Sequence, residues 1–130
     1  MKISAFPSAP KNSIQKLSIT GVDFTTAQTI PCDFLAKNVR IRILNVAIIS
    51  TSVASLSAGA VVRLQETDRS VFTAAESLSS SDEDGQRQEI PVLQTNQDTA
   101  LETALVFSIT TGSTATTDEK DVEILYQVLD

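Results

Sequence analysis

Residues 37–49, KNVRIRILNVAII, constrain the fold more than any other stretch. Val39, Ile41 and Ile43 share one phase and Arg40 and Arg42 the other, a period of two that belongs to a strand and not to a helix. Directly afterwards Leu44, Val46 and Ile48 occupy the opposite phase. Such an inversion requires a bulge near Asn45, a bend between two sheets, or a strand covered on both faces; a bulge or bend is the preferred reading.

Shorter β-branched runs follow the same period at Ile14–Thr20, Ala27–Ile30, Ala60–Glu66, Val71–Thr73, Gln88–Leu93, Thr103–Thr111 and Lys120–Leu129. Between them stand TG, SAG, DR, DEDG, TNQD and TTGSTATTDE, all rich in turn-forming residues. About eight strands with turns at intervals, and no long amphipathic helix, predict an all-β, single-domain antiparallel β-sandwich or jelly roll. Thr73 with Glu76, and Thr99 with Glu102, have capping-box spacing, which predicts single helical turns at most. Residues 1–12, with Pro7 and Pro10 and little alternation, read as an extended N-terminal arm ahead of a sandwich domain at 13–130, with Ile3 and Phe6 as its apolar anchors.

Length and composition narrow the function classes. A chain of 130 residues holds one core, and 42% hydrophobic residues suffice to fold it. The net charge of −6 disfavours duplex nucleic acid and anionic membrane surfaces, whose binding draws on Lys and Arg. No stretch has the roughly 18 apolar residues of a membrane helix, and MKISAFPSAP lacks the apolar run of a signal peptide, so synthesis in a cytoplasm is expected.

With no histidine, Ser-His-Asp and Cys-His catalysis and His-ligated metals are excluded. The single cysteine, Cys32, forms no intrachain disulfide and no Cys-based zinc cage. Beside Asp33 it reads as a small buried apolar residue and not as a reactive thiolate.

The stretch SSSDEDGQRQEIP, 79–91, places Asp82, Asp84 and Gly85 at three positions of an EF-hand loop. Ser80, Arg87 and Pro91 fail the others, so no metal site is expected there and Asp82, Glu83 and Asp84 are read as a solvated loop. The other acid cluster, Asp118–Asp121, also falls in a predicted turn, where carboxylates are ordinarily solvated and poorly placed for acid–base work. No enzyme activity and no cofactor is expected. Arg40 and Arg42, sharing a strand face, read as a wet sheet face or as contacts to a partner.

Two segments carry a family resemblance. TIPCDFLAKNVRIRILNVAI, residues 29–48, resembles the stretch of small tailed-phage virion proteins in which a Pro precedes a loop and a long alternating strand. LVFSITTGSTATTDEKDVEILYQVL, residues 105–129, is similar to their closing hairpin. The resemblance implies a capsid decoration, or cement, protein: a homotrimeric jelly roll on the outer surface of the virion that stabilises the shell by bridging neighbouring major capsid subunits. It brings no catalytic or ligand residues. The alternative is a receptor- or carbohydrate-binding β-sandwich of a phage fibre or bacterial appendage, a class that generally needs exposed aromatics.

Overall fold

A computed structural model describes residues 1–4, 12–32, 40–51, 53, 59–66, 72–79, 85–93, 98–100 and 105–129. Among the described residues ten strands occur, in chain order β1 Lys2–Ser4, β2 Ile14–Asp23, β3 Gln28–Pro31, β4 Arg40–Ser50, β5 Val61–Glu66, β6 Glu76–Ser77, β7 Arg87–Ile90, β8 Asp98–Ala100, β9 Leu105–Thr111 and β10 Glu119–Val128. Among the described residues there is no helix.

One sheet runs β1-β2-β10-β4-β7, with β8 alongside the start of β4, and the other runs β3-β9-β5-β6; all pairings are antiparallel. Matched position by position, the orders β2-β10-β4-β7 and β3-β9-β5-β6 set β2 against β3, β10 against β9, β4 against β5 and β7 against β6. Chain neighbours therefore face each other across the sandwich, which is jelly-roll connectivity.

This connectivity corrects one expectation. The segments 105–111 and 119–128 do not form a hairpin: β9 and β10 lie in different sheets, and their connection is an arch. The arch is tied to the turn after β2, where Ser113 N donates to Phe24 O at 2.8 Å and Phe24 N donates to Asp118 O at 2.8 Å. Gly112 is required there, since a Cβ would come 2.2 Å from the Thr25 carbonyl oxygen.

The phase inversion in β4 is a bulge. Leu125 pairs with Asn45 while Tyr126 pairs with Ile43, leaving Leu44 as the extra residue. Ile41 and Ile43 before it, and Val46 and Ile48 after it, are all buried in the core. A second bulge lies on the other side of β10, where Lys120 pairs with Val22 and Val122 with Ile19. Gly21 occupies it with φ of 67°, so Leu17 and Ile19 on one side and Val22 and Phe24 on the other all point inward.

The core is built from the inward phase of both sheets, with Leu17, Ile19, Val46 and Ile124 facing Val62, Leu64, Phe107 and Ile109. Each fully buried Leu, Ile or Phe contributes about 1.5–3 kcal/mol of burial free energy. Phe24 and Phe107 meet with ring centroids 6.2 Å apart and planes tilted by 55°, a favoured aromatic geometry. Cys32 is buried in the same cluster, as its composition-based reading expects.

The capping-box reading at Thr73 fails. Glu76 and Ser77 form β6, and the Thr73 hydroxyl is buried and accepts from Leu64 N at 2.9 Å. The Thr thus serves the β5 backbone beyond the short reach of β6. Thr99 lies in β8, and Glu102 lies outside the described residues.

Candidate functional site

β10 positions most of the polar groups that matter. Its inward phase holds Lys120, Val122, Ile124, Tyr126 and Val128, and its outward phase holds Asp121, Glu123, Leu125 and Gln127. Lys120 is therefore carried into the sandwich by the same alternation that buries Val122.

At that end Lys120 Nζ lies 2.6 Å from Asp118 Oδ1, and both side chains are at most 2% exposed. The contact is an ion pair closed off from solvent. Nζ also reaches Ser50 Oγ at 3.4 Å. Asp118 thus departs from the expectation that the 118–121 acids are solvated: the arch from β9 folds it inward against Lys120. Asp121 is the other case, half-buried with Oδ1 accepting from Gly21 N at 2.9 Å, and it locks the Gly21 bulge.

Beside this pair a cleft of about 270 Å³ is lined by Gly21, Asp23, Thr25, Thr116, Thr117, Asp118 and Glu119. Asp23, in its lining, is not set up as a proton donor. Asp23 accepts from Thr25 Oγ1 at 2.6 Å and Thr25 N at 2.9 Å, and these bonds hold its pKa below the usual carboxylate range. A proton donor needs the opposite shift. Asp118 is neutralised by Lys120. Among the described residues no three acids, cysteines or histidines come together as a metal would require. Asp82, Glu83 and Asp84 lie outside the described residues; Gly85, just after them, has φ of 87° and donates to Ser50 O at 2.7 Å.

The outer faces of the two sheets differ. Across β7, β10 and β2, Glu89, Arg87, Glu123 and Lys16 form a chain of ion pairs: Arg87 Nε to Glu89 at 2.6 Å, Arg87 Nη1 to Glu123 at 3.1 Å, and Lys16 Nζ to Glu123 at 3.8 Å. The bond to Arg87 holds the Glu89 pKa low, and the bond to Glu89 raises that of Arg87. Ala47, registered between Glu123 and Glu89, is fully buried on this outer face. On the other sheet the outward positions include Thr29, Val61, Arg63, Val106 and Ser108, and Arg63 is the one charge among them.

The contact candidates are scattered. Ile3 is half-buried in edge strand β1, packed against the domain's own core, and Phe6 lies outside the described residues. Arg40 and Arg42 share the outward phase of β4, Arg40 exposed and Arg42 half-buried, at register with Ala100 and Asp98 of β8. The structure does not bring Ile3 and the two arginines together. Sequence reading missed Lys120, whose parity with Val122 and Ile124 was a usable signal, and the Lys16–Glu123–Arg87 chain, whose members come from three distant strands and left none.

No family model matches this chain, and no curated protein matches it. Its fold is similar to that of a chain in the solved cyanophage Pam1 capsid asymmetric unit, with a TM-score of 0.54 and 11% identity over 100% of this chain and 94% of that chain. At that identity the likeness is one of fold.

Proposed function

We propose that this chain is a structural virion protein that decorates a phage capsid, sitting as a homotrimer on the outer surface and stabilising the shell by bridging neighbouring major capsid subunits. The observation that carries the reading is the likeness of fold to a capsid asymmetric-unit chain over nearly the whole of both chains. The character of the molecule supports it. The polar cleft beside Lys120 holds carboxylates already engaged by Thr25, Thr26 and Lys120.

A bridging protein needs little affinity per site, because many symmetry-related sites add buried area over the whole particle. Phe6, Arg40 and Arg42 are the proposed shell contacts. Among the described residues the aromatics favour this reading over a sugar-binding one: Phe24, Phe72, Phe107 and Tyr126 are all buried, away from any stacking role.

The test is to mix the purified protein with particles lacking it, isolate the particles by sedimentation and image them. Ordered added density on the shell and a raised particle melting temperature are expected. Absence from sedimented particles, with saturable binding on a glycan array, would replace this reading with the receptor-binding one.

A further inference from the structure

The outer face of the β1-β2-β10-β4-β7 sheet changes character along its length. Towards the arch its charges answer one another through Arg87 and Glu123, with Ala47 buried beside them. At the opposite end the outward positions turn apolar. Register sets Ile14 beside Gln127, and Leu125 beside Lys16 and Asn45, so Ile14 and Leu125 are diagonal neighbours on one face and within reach of each other. The β4 bulge adds Leu44 to them: Ile43 and Val46 are buried in the core, so the two residues between them both point outward, opposite Leu125. Leu129, which follows inward Val128 and donates its N–H to Arg40 O at 2.8 Å, extends the row. Ile14 is 62% exposed, and Leu44, Leu125 and Leu129 each keep part of their surface in water.

Basic residues rim this patch. Lys16, Arg40 and Arg42 occupy outward positions next to it, Arg40 exposed and the Lys16 side chain 54% exposed. Lys16 reaches Glu123 only at 3.8 Å, and Asp98 stands at register with Arg42. An apolar centre with a basic rim is thus set into a chain whose net charge is −6.

We infer, resting on the capsid reading, that this end of the sheet is the surface that docks on the shell, and that it meets an apolar, carboxylate-bearing surface of the major capsid subunit. Charge complementarity selects that occupant. A second copy meeting the patch with its own patch would set cation against cation. Its other faces offer little either, since Asp23, Glu89, Asp118, Asp121 and Glu123 are already bonded within their own chain. Duplex nucleic acid has phosphates for the rim but nothing for Ile14 and Leu125, and the net charge opposes it. Few contacts per site suffice where many sites on one particle are filled.

The test mixes the full chain with particles lacking it and reads bound protein by sedimentation across a concentration series. The variants are Ile14→Glu, Ile14→Lys and Lys16→Glu, with Thr29→Glu as a control on exposed edge strand β3 of the other sheet. Ile14 opens β2 and both Ile14 and Lys16 face water, so native melting temperatures are expected throughout. Ile14→Glu and Lys16→Glu should each raise the dissociation constant about tenfold or more. Ile14→Lys should raise it less than Ile14→Glu does, and Thr29→Glu should leave it unchanged. Native binding by both Glu variants of the patch would overturn the inference while leaving the capsid reading standing. A loss in Ile14→Lys as large as that in Ile14→Glu would overturn the acidic partner. Native oligomers that come apart on Ile14→Glu in the absence of particles would give the patch to a neighbouring copy and overturn the inference too. A native protein that never sediments with particles would end the capsid reading and the docking surface together.

Discussion

On the inner face of β10, Lys120 sits 2% exposed against Asp118; on the outer face of the same strand, Glu123 is 29% exposed and shared between Lys16 and Arg87. Water decides what each arrangement is worth. Outside, solvent screens the charges and holds them nearly as well as the pairing does, so each contact adds little. Inside, both groups have lost their hydration, and the pair is a mutual necessity more than a gain. The two faces therefore differ less in how strongly they attract than in what remains when one partner is removed.

Lys120→Met should show the largest effect, a loss of about 3–5 kcal/mol in urea unfolding, because Asp118 is left buried with its charge unanswered. The double variant Lys120→Met/Asp118→Leu sharpens the point by recovering most of that loss. If it remains as unstable as the single variant, the pair contributes attraction in its own right and the contrast between the faces is wrong.

Gly112→Ala comes next, at about 1–3 kcal/mol, since its Cβ would press on the Thr25 carbonyl and displace the arch that delivers Asp118. An unchanged unfolding midpoint would mean that the arch is not what holds Asp118 inward.

Tyr126 gives the inner face a pH signature. It is buried with its hydroxyl unpartnered, and desolvation raises its pKa above 10.0. With the folded value raised, the unfolded chain ionises first, so stability is intact below about pH 10 and falls as pH rises towards the folded pKa. Tyr126→Phe should flatten that alkaline decline in melting temperature while changing stability at pH 7 by no more than about 1 kcal/mol.

The smallest effect belongs outside. Arg87→Ala should cost no more than about 1 kcal/mol and lose even that in high salt. Glu89 supplies the opposite sign: its pKa is depressed by the bond to Arg87, so its contribution is present above the ordinary Glu range and disappears as pH falls through the folded value. A loss of several kcal/mol on Arg87→Ala would make the outer chain a structural element and erase the contrast with Lys120.

Much of the fold was readable in the chain because a strand writes its two faces into alternate residues. The inversion after Ile43 announced the bulge that Leu44 fills, and the runs at 14–20, 60–66 and 120–129 lie on β2, β5 and β10. Errors arose where a residue's partner was remote. Thr73 looked like a cap because its spacing to Glu76 is local, yet its hydroxyl answers Leu64. Asp118 looked solvated because it stands in a turn, yet its neighbour Lys120 is inward by parity.

Period and composition alone determined that this chain makes a sandwich: β-branched alternation leaves only paired sheets able to bury one face of each strand. They also determined that histidine chemistry is absent. Only the tertiary structure decided that β9 and β10 part company, and that Gly112 and Gly21 serve as the arch and the bulge. It also decided which charges face water and which face each other, as Lys120 and Arg87 show. Alternation fixes which side a residue takes relative to its own strand, whereas the identity of the opposite strand depends on contacts far apart in sequence, which no local pattern records.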